Sequence, residues 1–184
     1  MKLRKKQVKL KNGKTLVLIS PKIENAQEMA DYYNMIVAET KFISADIMDS
    51  KATKESQKKW ISGSIDDEKS LVITAQIDGK IVGMGNINPK GKNRVRYKHV
   101  CLIWVSVLKQ FWGLGIASAI MKELIEFAKK TGYEQIELDV VSANESALYL
   151  YKKFGFVEEG RLTHAMKYTD DTYADFIKMQ KFLL

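Results

Sequence analysis

Two glycines one residue apart, Gly113 and Gly115, stand between a β-branched run and a strongly amphipathic stretch. The run before them ends in Val105, Ser106 and Val107, and residues 97–107 read as a central strand. The stretch after them, 115–130, lines up Ile116, Ala119, Ile120, Leu124 and Phe127 on one helical face and is stopped by Gly132. A strand that turns through small residues directly into a helix brings backbone amides to the surface. Those of Gly113, Leu114, Gly115, Ile116, Ala117 and Ser118 lie at a helix N-terminus. Free N–H groups and about half a positive charge favour an anion such as a pyrophosphate there. The loop is not a P-loop, because no Gly-Lys-Ser/Thr follows. Nor is it a full Gly-x-Gly-x-x-Gly, because Ser118 stands three residues after Gly115. A tight turn with no ligand would use the same glycines.

The rest of the chain alternates strand and helix signals. Segments 8–10 and 15–19 flank Asn12-Gly13, a hairpin signal. Over 23–40 the positions Met29, Tyr32, Tyr33, Ile36 and Val37 recur at helical spacing. A second helix is expected over 54–65, with Trp60 and Ile61 inward. Strands over 70–77 and 80–87 are joined by Asp78-Gly79, and 88–93 is a polar loop. After the long helix come a strand at 134–141, a helix at 144–154 ending at Gly155, and strands at 156–167 and 173–182 around Asp170-Asp171. The order β-β-α-α-β-β-β-α-β-α-β-β describes an α/β domain.

Composition sets the class. The 184 residues are 46% hydrophobic and 28% charged, which suits one globular domain and excludes a disordered or collagen-like chain. No repeat or composition break divides residues 1–184. A single cysteine, Cys101, cannot form an internal disulfide. The first apolar run, residues 16–19, is too short for a signal peptide or a membrane span, so a soluble, cytoplasmic protein is expected. The net charge of +8 is uneven: residues 1–14 carry seven Lys/Arg, residues 90–98 carry five (Lys90, Lys92, Arg94, Arg96, Lys98), and the remainder sums to −4. Such patches serve solubility or attract an anion, and charge alone does not choose between these. The lack of a zinc pattern or an aromatic-basic RNA motif argues against nucleic acid.

Asn144, Ala147, Tyr151 and Gly155-Phe156 follow about 30 residues beyond the glycine turn, and here the chain resembles the GCN5-related N-acetyltransferase (GNAT) superfamily. Residues 105–128 (VSVLKQFWGLGIASAIMKELIEFA) look like its acetyl-CoA pyrophosphate motif, Arg/Gln-x-x-Gly-x-Gly/Ala. Aligned with Gly115 and Ala117 as the small residues, Trp112 takes the Arg/Gln position. Residues 137–162 (ELDVVSANESALYLYKKFGFVEEGRL) look like its Asn-x-x-Ala-x-x-x-Tyr-x-x-x-Gly-Phe segment. Element order agrees over nearly the whole chain. The late stretch from Tyr173 through Asp175 to Met179 resembles the closing strand of the amino-acid, phosphinothricin and ribosomal-protein acetyltransferase branch.

The resemblance implies a single GNAT domain: a mixed, mostly antiparallel sheet of about seven strands with a parallel splayed pair, and about four helices. It implies acetyl-CoA as cosubstrate, an amine acceptor, no metal and a possible homodimer. Pantetheine would lie beside Val105, Ser106 and Val107, with the diphosphate on the amides from Gly113 to Ser118. Asn144 would touch the arm, and Tyr151 would protonate the departing thiolate. The oxyanion would meet a main-chain N–H, that of Val107.

Plainer readings stand beside these. Tyr151 is also a core tyrosine at i+4 from Ala147. Asn144 also serves a helix start, although Ser142-x-x-Glu145 reads as a capping box that would put Asn144 inside the first turn. Tyr149 is expected to pack, His164 to be structural, and Met29 and Met121 to be core. Cys101 lies too early on its strand for a nucleophile. The central strand carries no acid, which leaves His99 and, more weakly, Glu39 as candidate bases. The favoured acceptor is a small primary amine. A protein N-terminus and a non-catalytic acetyl-CoA-binding module are the alternatives. The early helices and late strands that would build the acceptor site carry no specific signature.

Overall fold

A computed structural model describes residues 2–46, 48–49, 51–91 and 94–183. Lys92 of the second basic stretch, with Asn93 of the polar loop, lies outside the described residues. The order along the chain is β1 (Lys6–Lys9), β2 (Thr15–Ile19), α1 (Ala26–Glu39), α2 (Lys54–Ile65), β3 (Leu71–Ile77), β4 (Lys80–Pro89), β5 (Val100–Val107), α3 (Ile116–Lys130), β6 (Gln135–Val141), α4 (Glu145–Lys153), β7 (Val157–Lys167) and β8 (Tyr173–Phe182). The described strands form one eight-stranded sheet, ordered β1-β2-β3-β4-β5-β6-β8-β7, rather than about seven strands.

Local chemistry explains most element ends. Thr53 caps α2 by accepting from the Ser56 amide. Asp78 (φ 51°) and Gly79 (φ 78°) are both left-handed, as a two-residue hairpin turn requires. The central strand begins later than expected: Val95–Tyr97 form a 3-10 turn, closed by the Tyr97 amide on the Arg94 carbonyl, and β5 starts at Val100. The preceding strand is longer than expected and runs to Pro89.

Each face of the sheet has its own core. On one face α3 buries Ile116, Ile120, Met121, Leu124 and Phe127. The helix lies so close to β4 that a Cβ on Gly85 would collide with Ile120. On the other face Met29, Tyr32 and Ile36 of α1 and Ile61 of α2 pack on Val72, Ile81 and Met84. Tyr33, Val37 and Trp60 are only half-buried.

The parallel pair positions the site. β5 and β6 share only three rungs: Val100 with Gln135, Cys101 with Ile136 and Leu102 with Glu137. On its other side β5 is held by β4 as far as Val107, opposite Gly83, and β6 is held by β8 as far as Val141, opposite Phe176. Past Leu102 the two strands therefore diverge, which is the splayed pair the resemblance implied.

Candidate active site

The direction of each β5 peptide follows from its fixed bonds. The Leu108 amide donates to Val82 and the Val100 carbonyl accepts from Lys90, both toward β4. The His99 carbonyl accepts from Glu134 and Gln135, on the β6 side. Backbone groups alternate along a strand, so odd-numbered residues turn toward β6. Past Leu102 that side has no ladder. The N–H and C=O of Val105 and the N–H of Val107 therefore face the gap. The Val107 carbonyl is taken by the Trp112 indole, whose Nε1–H donates at 2.7 Å. Side chains alternate as well: Val105 and Val107 join the α3 core, while Ser106 meets the Tyr32 hydroxyl of α1 at 2.8 Å.

Beyond β5 the chain makes a 3-10 turn, Lys109–Phe111, and the Lys109 amide donates to the Glu39 carboxylate at 2.9 Å. Gly113 (φ 74°) and Gly115 (φ 90°) are left-handed, and Gly115 is the N-cap of α3. Among the described residues no amide from Gly113 through Ser118 donates to a protein acceptor; the first to do so is that of Ala119, on the Gly115 carbonyl. Nothing lies within 4 Å of where a Cβ on Gly113 or Gly115 would stand. Free amides, open space and a helix N-terminus thus sit beside the gap, which fits an anionic group with an attached extended arm. The sequence also allows a second alignment, on the two left-handed glycines. Read on Gly113 and Gly115, the Arg/Gln-x-x-Gly-x-Gly/Ala spacing begins at Gln110, so Trp112 need not replace a polar residue.

Asn144 and Tyr151 belong to α4, which starts just past the end of β6. Asn144 is the N-cap: its Oδ1 accepts from the Ala147 amide at 3.1 Å. Ser142 therefore does not cap this helix, and Asn144 lies ahead of the first turn rather than inside it. Its side-chain NH2 donates to no protein group among the described residues. Tyr151 is 8% exposed, its ring tilted against Phe156 at 5.8 Å between centroids. Burial pushes its phenol up to about 12, so it keeps its proton at neutral pH.

The remaining candidates fall elsewhere. His99 precedes the zipped rungs, four residues or roughly 13 Å along the strand from Ile103, where the gap begins. Glu39 fastens the turn after β5. The Cys101 thiol is buried, and burial pushes it up to about 12, which suits no nucleophile. His164 sits in an irregular part of β7 (φ 51°), stacked on Tyr173, with its amide on Asp175. Met29 and Met121 are core. Tyr149 does not pack: it is 72% exposed, because α4 is short and buries the face that carries Tyr151. Among the described residues no group of three His, Cys, Asp or Glu could hold a metal, and no helix is long and apolar enough to cross a membrane.

Three features escaped the sequence. The Tyr32–Ser106 and Trp112–Val107 bonds are two. The third is Glu137, a buried carboxylate at the last rung, bound by Lys90 at 2.7 and 2.9 Å. Its signal lies on the next strand, in the alternation Glu137-Leu138-Asp139, rather than on β5 or in the early helix.

A split parallel pair, with free amides at the head of the helix that joins its two strands, is the arrangement the sequence resemblance implied. The profile of the acetyltransferase (GNAT) family matches residues 31–156, and the chain belongs to that family. It is 37% identical over 89 residues to an L-amino acid N-acetyltransferase of Escherichia coli, a match covering 48% of this chain and 54% of that one. The chain spans about half the length of the curated relatives it matches. A GNAT-family acetyltransferase structure from Streptococcus pneumoniae superposes with a TM-score of 0.86 at 27% identity, covering 91% of this chain and 99% of that one. A Salmonella typhimurium structure solved with its cofactor acetyl-CoA shares the fold, with a TM-score of 0.81 at 16% identity over 92% of this chain and 94% of that one.

Proposed function

We propose that this chain is an acetyl-CoA-dependent N-acetyltransferase that acetylates the primary amine of a small molecule (an amino acid, a polyamine or a drug-like amine) by direct attack in a ternary complex. The observation that carries it is the three-rung ladder opening beside a loop of free amides. The thiol arm would pair with Val105 and Val107 as a missing strand does, flanked by Ser106, and the amides of Gly113, Leu114, Gly115, Ile116, Ala117 and Ser118 would bind the diphosphate. The unused NH2 of Asn144 is the donor available to the arm.

In the reaction the neutral amine attacks the thioester carbon. A C–N bond forms, and the carbonyl oxygen gathers charge near a main-chain N–H, that of Val107. The C–S bond then breaks, and Tyr151 hands its proton to the departing sulfur. The proton lost from nitrogen passes to solvent and the Tyr151 phenolate takes one back from solvent, so the balance closes without a metal or a covalent enzyme intermediate. The E. coli relative's name supports an amino-acid acceptor. The same reading carries a cytoplasmic location and a homodimer, tested by fractionation and by light scattering.

The deciding experiment is thiol release from acetyl-CoA against amino acids, polyamines, aminoglycosides and peptides. Turnover with free amines supports the proposal. Turnover with peptides alone moves the acceptor to proteins, and acetyl-CoA binding without turnover leaves a binding module.

A further inference from the structure

We infer that Trp112 is a positioning residue for the diphosphate loop, acting through the Val107 carbonyl; this rests on the acetyl-CoA reading above. Val107 ends β5, and its carbonyl turns to the side where β6 no longer pairs. Left alone, it would be an unpaired acceptor beside an arriving anion. Trp112 donates to it at 2.7 Å, while the amide of the same peptide group, that of Leu108, donates to Val82 at 3.0 Å. The peptide group is pinned from both sides.

The turn between is closed on itself. Phe111 donates to Leu108 at 2.9 Å, Trp112 to Lys109 at 3.2 Å, and the Trp112 ring returns to Val107. Gly113 therefore leaves from a fixed point. The glycines that follow have open space where side chains would stand, so their amides are located by Trp112 on one side, by α3 on the other and by Leu114, which packs on the core between them. Trp112 is 46% exposed, so its ring contact and its donor both contribute, and the two have to be separated by substitution. An arm lying along Val105 depends instead on the β4 ladder, where Gly85 faces Val105. The Val107 N–H that the arm would also meet belongs to the preceding peptide group, held on the β4 side, so Trp112 should matter more to the diphosphate end than to the thiol end.

The test uses the full chain with two variants, Trp112→Phe, which keeps a ring and loses the donor, and Trp112→Gln, which keeps a donor. Dissociation constants are measured for acetyl-CoA and for S-acetylpantetheine, which has the arm and no diphosphate. Trp112→Phe is expected to weaken acetyl-CoA by about 3- to 10-fold, the size of one hydrogen bond, and S-acetylpantetheine by less than about twofold. Trp112→Gln is expected to recover most of the acetyl-CoA loss. Equal weakening of both ligands, unchanged acetyl-CoA affinity in Trp112→Phe, or a Gln variant no better than Phe overturns the inference. Wild-type protein that binds neither ligand overturns the acetyl-CoA reading and this inference together.

Discussion

The Tyr32 hydroxyl lies 2.8 Å from that of Ser106, and both residues are buried. The bond ties α1 to the strand that borders the gap, between the two valines whose backbone faces it. Burial holds the Tyr32 phenol well above its ordinary value. Tyr32→Phe leaves the Ser106 hydroxyl without its partner and is expected to cost about 1–3 kcal/mol of unfolding free energy in urea titrations. The double variant Tyr32→Phe/Ser106→Ala should cost less than the sum of the two single changes.

Tyr151→Phe removes the proposed acid and little else. Turnover should fall by about 10²-fold with acetyl-CoA affinity nearly unchanged, as read by steady-state kinetics and calorimetry. A phenol at about 12 is protonated throughout the neutral range, so this group causes no alkaline loss of rate from about pH 7 to about pH 10. The stability sign follows from the same shift. The unfolded tyrosine loses its proton near 10.0, while the folded one holds it to about 12. Its contribution is complete below the first value and is lost as pH rises through the second. Melts of Tyr151→Phe should fall less steeply than wild type in that window.

Asn144 is the cap of α4 and the proposed donor to the arm, and one substitution separates the two. Asn144→Ala removes the cap of α4 and should cost about 0.5–2 kcal/mol of stability. Asn144→Asp keeps the cap oxygen and loses the free NH2. Stability near wild type with weakened acetyl-CoA binding is the expected result; wild-type binding would leave only the cap.

Gly115 stands at φ 90° with no neighbour near its Cβ position. Gly115→Ala meets no clash but strains the backbone by about 1–2 kcal/mol, and the turn relaxes away from its free-amide geometry. The expected result is a raised KM for acetyl-CoA, an unchanged KM for the amine and a slightly lowered Tm.

Local signals were legible in proportion to how local they are. α2 was read at both ends, because its start and apolar spacing lie within 12 residues. The hairpin at Asp78-Gly79 was read because only that turn needs two left-handed residues. Gly113, Gly115, Asn144 and Tyr151 carry recognisable spacing, which is what singles them out in the sequence. Pairings between distant segments were not. Nothing near Tyr32 announces Ser106, 74 residues on. The bond from Trp112 becomes visible only when the β5 carbonyls that face the gap are known. Tyr149 misled because an apolar helix pattern does not say which face a short helix buries. The start of β5 misled because the run from Tyr97 reads as strand, while the backbone at Tyr97 closes a turn.

The three-rung ladder leaves a comb of protected and unprotected protons along one strand. Ser106 shares its amide with β4, whereas Val105 and Val107 turn theirs toward the gap, where no strand pairs with them. Deuterium should therefore enter alternate positions quickly in a strand that lies at the middle of the sheet. A bound arm would supply the absent rungs and level the comb. Since that occupancy exists only in the folded chain, the melting temperature should climb with the logarithm of acetyl-CoA concentration, which makes this seam the place where the ligand acts as part of the fold.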